Sequence, residues 1–106
     1  MKEIIDLFSR YEGEIIQDKN EIAIIANNTI IDSGGKKHER IKCEVNIHWG
    51  RINNYPFCLS AEEKTYQILG GMGCPCDDLD EALRIAEAQL DRFGFRKKLY
   101  EEVTLF

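Results

Sequence analysis

The sequence predicts an α+β fold: an antiparallel β-meander of four to five strands, with an N-terminal helix and a longer C-terminal amphipathic helix packed on the sheet. In the middle of the chain, short apolar segments alternate with turn residues, as in strands joined by hairpins. Near the C-terminus, apolar residues recur at helical spacing. The chain has 106 residues, the size of one domain, so we expect residues 1–106 to form a single domain.

The first segment, residues 2–13, predicts a short helix. Its apolar side chains recur every three to four residues, which places them on one helical face. These residues are Ile4, Ile5, Leu7, Phe8 and Tyr11. Gly13 is expected to end this helix, because glycine is common just beyond a helix C-terminus.

Two hairpins are predicted next. Residues 14–17 and 21–26 flank turn residues 18–20, and the apolar run 22–26 is typical of a strand buried on both faces. The second turn covers residues 33–37, where Gly34 and Gly35 are expected to supply positive φ. The strand that follows alternates strictly. Ile41, Cys43, Val45, Ile47 and Trp49 face one side, and Lys42, Glu44, Asn46 and His48 face the other.

The last third of the chain predicts strands at 55–60 and 64–69, then a turn through 70–76 into the second helix. Asp78 is the predicted N-cap, with Glu81 completing a capping box, and Gly94 is predicted just beyond the C-terminus. The helical stripe comprises Leu79, Ala82, Leu83, Ala86, Leu90 and Phe93. The tail, 95–106, is compatible with a strand or a helical turn.

Composition excludes several classes of protein. The formal net charge is −5, which disfavours broad, non-specific binding to nucleic acid. No apolar run is long enough for a secretory signal or a membrane span, so we expect a cytoplasmic protein without membrane contact. In that compartment the four cysteines are expected to be thiols or metal ligands rather than disulfides.

The stretch GGMGCPCDDLDEAL, residues 70–83, suggests a phosphate loop or a redox site, but neither pattern is complete. It lacks G-K-[ST], and Cys76 stands where G-x-G-x-x-G requires glycine. The acids Asp77, Asp78 and Asp80 would repel a phosphate and oppose the formation of a thiolate. C-x-C also differs from the C-x-x-C redox motif.

A zinc site is a weaker alternative. Cys74 and Cys76, with Cys58 and His48, supply the four N and S ligands that zinc takes. The C-x-C spacing differs from the usual knuckle, and the other two residues are scattered. We therefore expect no cofactor, with zinc as the alternative.

Nucleic-acid binding is the other alternative. Basic residues cluster in the second hairpin and after the second helix, where they also suit the helix dipole. They are Lys36, Lys37, Arg40, Arg96, Lys97 and Lys98. The acidic overall charge weighs against this interpretation.

Protein binding is the leading hypothesis. Catalytic motifs are missing from the sequence, so we expect no enzyme. Trp49, Arg51 and Tyr55 form a candidate protein-binding patch, since these residue types are common at interface hot spots. Alternatively, Trp49 simply completes the apolar strand face. The sequence thus predicts a small acidic regulator or inhibitor that occupies a partner protein's surface, the kind of protein with which phages and mobile elements counter host defences.

Overall fold

The computed structural model describes residues 2–52, 55–63 and 72–98, with side chains described within 2–49 and 76–98. The elements, in chain order, are α1 (Lys2–Phe8), β1 (Glu14–Asp18), β2 (Glu21–Ile31), β3 (Lys37–Ile52), β4 (Tyr55–Glu63), β5 (Met72–Cys76) and α2 (Leu79–Arg92). The strands form an antiparallel sheet in the order β1-β2-β3-β4-β5. The predicted α+β class, the antiparallel sheet and the two helices are confirmed. The predicted strand at 64–69 and residues 99–106 of the tail lie outside the described residues.

Helix α1 is shorter than predicted. It ends at Phe8, and the next residues make tight turns in which the Arg10 and Tyr11 amides donate to Leu7 and Phe8 carbonyls. Gly13 therefore does not end the helix. It has a φ of +157° and lies so close to β2 that an added Cβ would meet Ile24 Cγ1 at 2.8 Å.

The core lies between the helices and one face of the sheet. Ile22 pairs with Ile47 and Ile24 with Val45, and all four side chains are buried. Burial along α2 follows the predicted stripe at Ala82, Ala86 and Leu90, which is one face of a helix. The buried cluster also takes in Ile4, Leu7, Phe8, Tyr11, Ile30, Ile41, Cys43, Cys76, Phe93 and Phe95.

Helix α2 has the predicted caps. The Asp78 side chain accepts from the Glu81 amide at 2.8 Å, and Glu81 in turn accepts from the amide of Asp77 at 2.7 Å. At the other end Gly94 has a φ of +76°. The Phe95 amide donates to the Leu90 carbonyl and the Gly94 amide to the Asp91 carbonyl, the two bonds of a Schellman motif.

The prediction of a turn over residues 70–76 is wrong for residues 72–76. Met72–Cys76 forms β5 and pairs with β4 from Ala61 to Phe57. Pro75 is tolerated there because β5, within the described residues, pairs on one side only, and proline is accepted at sheet edges. Cys76, the last residue of β5, is fully buried in the core.

A β-bulge interrupts the β2–β3 hairpin. Asn28 pairs with Ile41 and Ile30 with His38, so Thr29 alone lies opposite both Glu39 and Arg40. Arg40 takes a φ of 60°, as one residue of a bulge often does. Because of the extra residue, His38 lies on the same face as Ile30, and Lys37 lies opposite Ile31.

Candidate functional site

A groove runs along the edge of β2 that faces β1. Strand β1 pairs with β2 only as far as Ile25, so within the described residues 26–31 pair on one side only, with β3. We call the cavity beside this edge the edge groove. It measures about 590 Å³ and is lined by residues 12–13, residues 26–29, Lys37, Gly94 and Arg96.

Backbone groups of β2 face the edge groove. At one end the Ile25 carbonyl oxygen lies 3.0 Å from where a Cβ on Gly13 would stand, and at the other the Thr29 carbonyl oxygen lies 2.3 Å from the equivalent position on Gly94. Gly13 and Gly94 therefore lie against these two carbonyls at the two ends of the groove. Since backbone direction alternates with a period of two, the N–H and C=O of Asn27 are expected to face the same edge of β2 as those of Ile25 and Thr29.

The far wall of the edge groove is held by a short ladder between two distant segments. The Glu12 amide donates to the Arg96 carbonyl, and the Lys98 amide donates to the Arg10 carbonyl, each at 2.8 Å. Tyr11 and Lys97 form an antiparallel bridge between these two bonds. Burial, followed by the carboxylates of Asp91 and Glu87, raises the pKa of the Tyr11 phenol.

The segment after α2 is fixed against β2. The Asn28 side-chain amide donates to the Phe93 carbonyl at 3.0 Å. Gly94 then passes the Thr29 carbonyl at a distance that leaves no room for a Cβ. These contacts place Arg96 at the edge groove.

Two predicted nucleic-acid residues from separate basic clusters meet at this groove. Lys37 begins β3 and Arg96 follows α2, and both line the cavity. Arg96 Nη2 lies 3.4 Å from the Glu12 carboxylate, and both side chains are largely exposed. Lys36, Arg40, Lys97 and Lys98 are also exposed, and Lys97 lies over the Tyr11 ring.

The hairpin tip is organised by Asp32. Its Oδ1 accepts from the amides of Gly34 and Lys36, both at 2.9 Å, and its Oδ2 lies 3.0 Å from His38 Nε2. The hydrogen bond with His38, followed by that from the Lys36 amide, lowers the pKa of the Asp32 carboxyl. Only one of the two glycines predicted to supply positive φ does so, Gly35 at +86°.

The predicted protein-binding patch is described only in part. Trp49 is half-buried and packs against the core cluster, as expected if it continues the apolar face of β3. The side chains of Arg51 and Tyr55 lie outside the described residues.

The predicted zinc ligands are divided by the sheet. Cys76 is buried in the core beneath α2, whereas His48 follows core residue Ile47 and therefore belongs to the opposite face. Cys58 occupies the register position opposite His48, and Cys74 that opposite Leu59; both side chains lie outside the described residues. Among the residues that the structure does describe, no group of three or more His, Cys, Asp or Glu side chains could hold a metal ion.

A polar cluster that sequence reasoning missed lies on the sheet face away from the helices. Asn46 is only 6% exposed and donates from Nδ2 to carboxylate oxygens of Glu21 and Glu44. The alternation in β3 placed Asn46 on the polar face, but its burial depends on Glu21 from the neighbouring strand. Burial with hydrogen-bond partners is typical of a structural amide.

The edge groove was not predicted from the sequence either. Its one local signal was the pair Asn27–Asn28, since asparagine is depleted in strands. Glu12, Thr29 and Gly94 carried no signal, because they come together only in the folded chain.

Comparison of the chain with protein-family models, with curated proteins and with solved structures finds no match. Within the described ranges, no helix is long and apolar enough to cross a bilayer.

Proposed function

We propose that this chain is a non-enzymatic protein-binding module, a small cytoplasmic regulator or inhibitor that occupies a partner's surface. Its edge groove would receive an extended segment of the partner by β-strand addition. In this mode, main-chain hydrogen bonds to a free strand edge supply affinity, and side-chain pockets supply specificity.

The observation that carries the proposal is that, among the described residues, β2 beyond Ile25 pairs with β3 alone, beside a cavity of about 590 Å³. An unpaired strand edge is a template for pairing with another chain. Here residues 12–13 and Gly94 line the cavity together with residues 26–29, and the proposed occupant is a single extended segment.

An exposed apolar side chain lies next to the groove. Ile31 is 66% exposed at the end of β2 and pairs with Lys37, which lines the groove. An extended segment lying on the β2 edge could cover Ile31, so the same partner would gain apolar burial.

The proposal is tested by selecting a displayed library of linear decapeptides on the immobilised protein, then titrating the enriched peptides into ¹⁵N-labelled protein. We expect the largest amide shifts at residues 26–29. Asn27→Trp places a large side chain at a residue that lines the groove and should weaken peptide binding about 10-fold, which corresponds to roughly 1.4 kcal/mol.

The matched control is Gln17→Trp, which adds the same side chain at an exposed position of β1 outside the groove. It should leave the affinity unchanged, and both variants should melt as the native protein does. Peptides that bind Asn27→Trp as tightly as the native protein, or a selection that enriches none, would overturn the proposal.

A further inference from the structure

We propose that the edge groove selects an acidic extended segment of a partner protein, whose carboxylates pair with Lys37 and Arg96. This inference rests on the proposed function, because it names the chemistry of the segment that the same groove would receive.

The charge around the groove is opposite to that of the whole chain. The chain carries a net charge of −5, yet residues 36–42 contain four basic side chains and one acid, and residues 92–98 contain four basic side chains and no acid. Folding brings both segments to the edge groove through Lys37 and Arg96. Complementary charge at an interface favours the correct partner and speeds its association.

The groove already holds one carboxylate from its own chain. Glu12 Oε1 lies 3.4 Å from Arg96 Nη2, and the ladder between the Glu12 amide and the Arg96 carbonyl keeps the two residues adjacent. An exposed ion pair of this kind contributes little stability. A partner segment that forms main-chain hydrogen bonds with β2 can therefore bring its own carboxylate to Arg96 in place of Glu12.

Nucleic acid fits the groove less well than a peptide does. Single-stranded nucleic acid is held largely by stacking of bases on aromatic side chains. Among the described residues, the aromatic side chains adjacent in sequence to the lining are Tyr11, Phe93 and Phe95, and each is at most 5% exposed. The floor is instead a strand edge, whose N–H and C=O groups match those of a polypeptide.

The test repeats the decapeptide selection on the native protein, on Lys37→Gln/Arg96→Gln, and on Lys2→Gln/Lys19→Gln as a control that removes equal charge elsewhere. We expect Asp and Glu to be enriched at alternate positions with the native protein and the control, but not with the groove variant. An enriched acidic peptide should bind the groove variant about 2- to 30-fold more weakly, the range for the loss of two exposed ion pairs. Glu12→Gln should tighten its binding about 2- to 5-fold by removing the competing carboxylate.

The outcomes separate the two proposals. Peptides that map to residues 26–29 without acidic enrichment overturn the acidic partner and keep the strand-addition groove. Peptides that map elsewhere, or none at all, overturn both. A 20-nucleotide oligothymidine that binds more tightly than the best peptide, and is lost with Lys37→Gln/Arg96→Gln, overturns the peptide in favour of nucleic acid.

Discussion

At the scale of single residues, Gly94 connects helix stability to the geometry of the edge groove. Its φ of +76° ends α2, and its missing side chain lets the chain pass the Thr29 carbonyl. Left-handed backbone costs other residues about 1–2 kcal/mol. The close approach adds a second cost, because a Cβ at 2.3 Å from backbone oxygen forces the two segments apart.

We expect Gly94→Ala to lower the free energy of unfolding by about 2–4 kcal/mol, the range of substitutions that combine strain with displaced packing. Urea denaturation measures it. Gly35→Ala is the matched control: Gly35 also has positive φ, at +86°, but nothing lies within 4 Å of an added Cβ. That variant should lose only the conformational part, about 1–2 kcal/mol. Equal losses for the two variants would show that the approach to Thr29 has no energetic effect.

At the scale of elements, one carboxylate organises the turn of the β2–β3 hairpin. The Asp32 carboxylate accepts hydrogen bonds from the amides of Gly34 and Lys36, and its other oxygen is hydrogen-bonded with the His38 ring. The bond with His38 lowers the pKa of Asp32 in the folded protein. A carboxyl with a lowered pKa stabilises the fold above its unfolded pKa, and this contribution is lost as the pH falls through the folded value.

We therefore expect Asp32→Asn to be less stable than the native protein at neutral pH and equally stable at about pH 2, below the usual carboxyl range. Denaturation curves between pH 7 and pH 2 measure the difference. Ser33→Ala, an uncharged change at an exposed position of the same turn, should give a difference that does not vary with pH. A constant deficit for Asp32→Asn would contradict the role of its charge.

The elements also show what local sequence can predict. Helix α2 was predicted with both caps because its stripe, Asp78 and Gly94 all act within the helix itself. Strand β5 was missed because Gly73 and Pro75 are poor strand formers. Its pairing with β4, across residues distant in sequence, overrides that preference.

At the scale of the whole molecule, distant segments determine both the core and the edge groove. Residues 10–12 bind residues 96–98, and Glu12 and Arg96 line the same cavity as residues 26–29 of β2. The groove could not be predicted for this reason, since its walls come from four segments, of which the sequence singled out only the basic clusters that contain Lys37 and Arg96. The expectation of a single domain stays a prediction, and it can be tested through two thiols.

Cys43 and Cys76 lie on β3 and β5, and both are fully buried. If the chain unfolds as one unit, a thiol-alkylating reagent should modify both at the same rate, at least about 10³-fold more slowly than in urea, as for domains of ordinary stability. Mass spectrometry of the two peptides measures the rates. Fast labelling of Cys76 beside a protected Cys43 would show that β5 opens separately from the hairpin core.

The bulge at Glu39 and Arg40 sets the twist of the hairpin without setting its register. Because β3 carries one residue more than β2 opposite Thr29, deleting one of these two residues would leave a regular ladder, with Ile30 still opposite His38 and Lys37 still opposite Ile31. Loss of the extra residue should therefore straighten β3 and reduce the local twist, while Lys37 stays at the groove and the core stays intact.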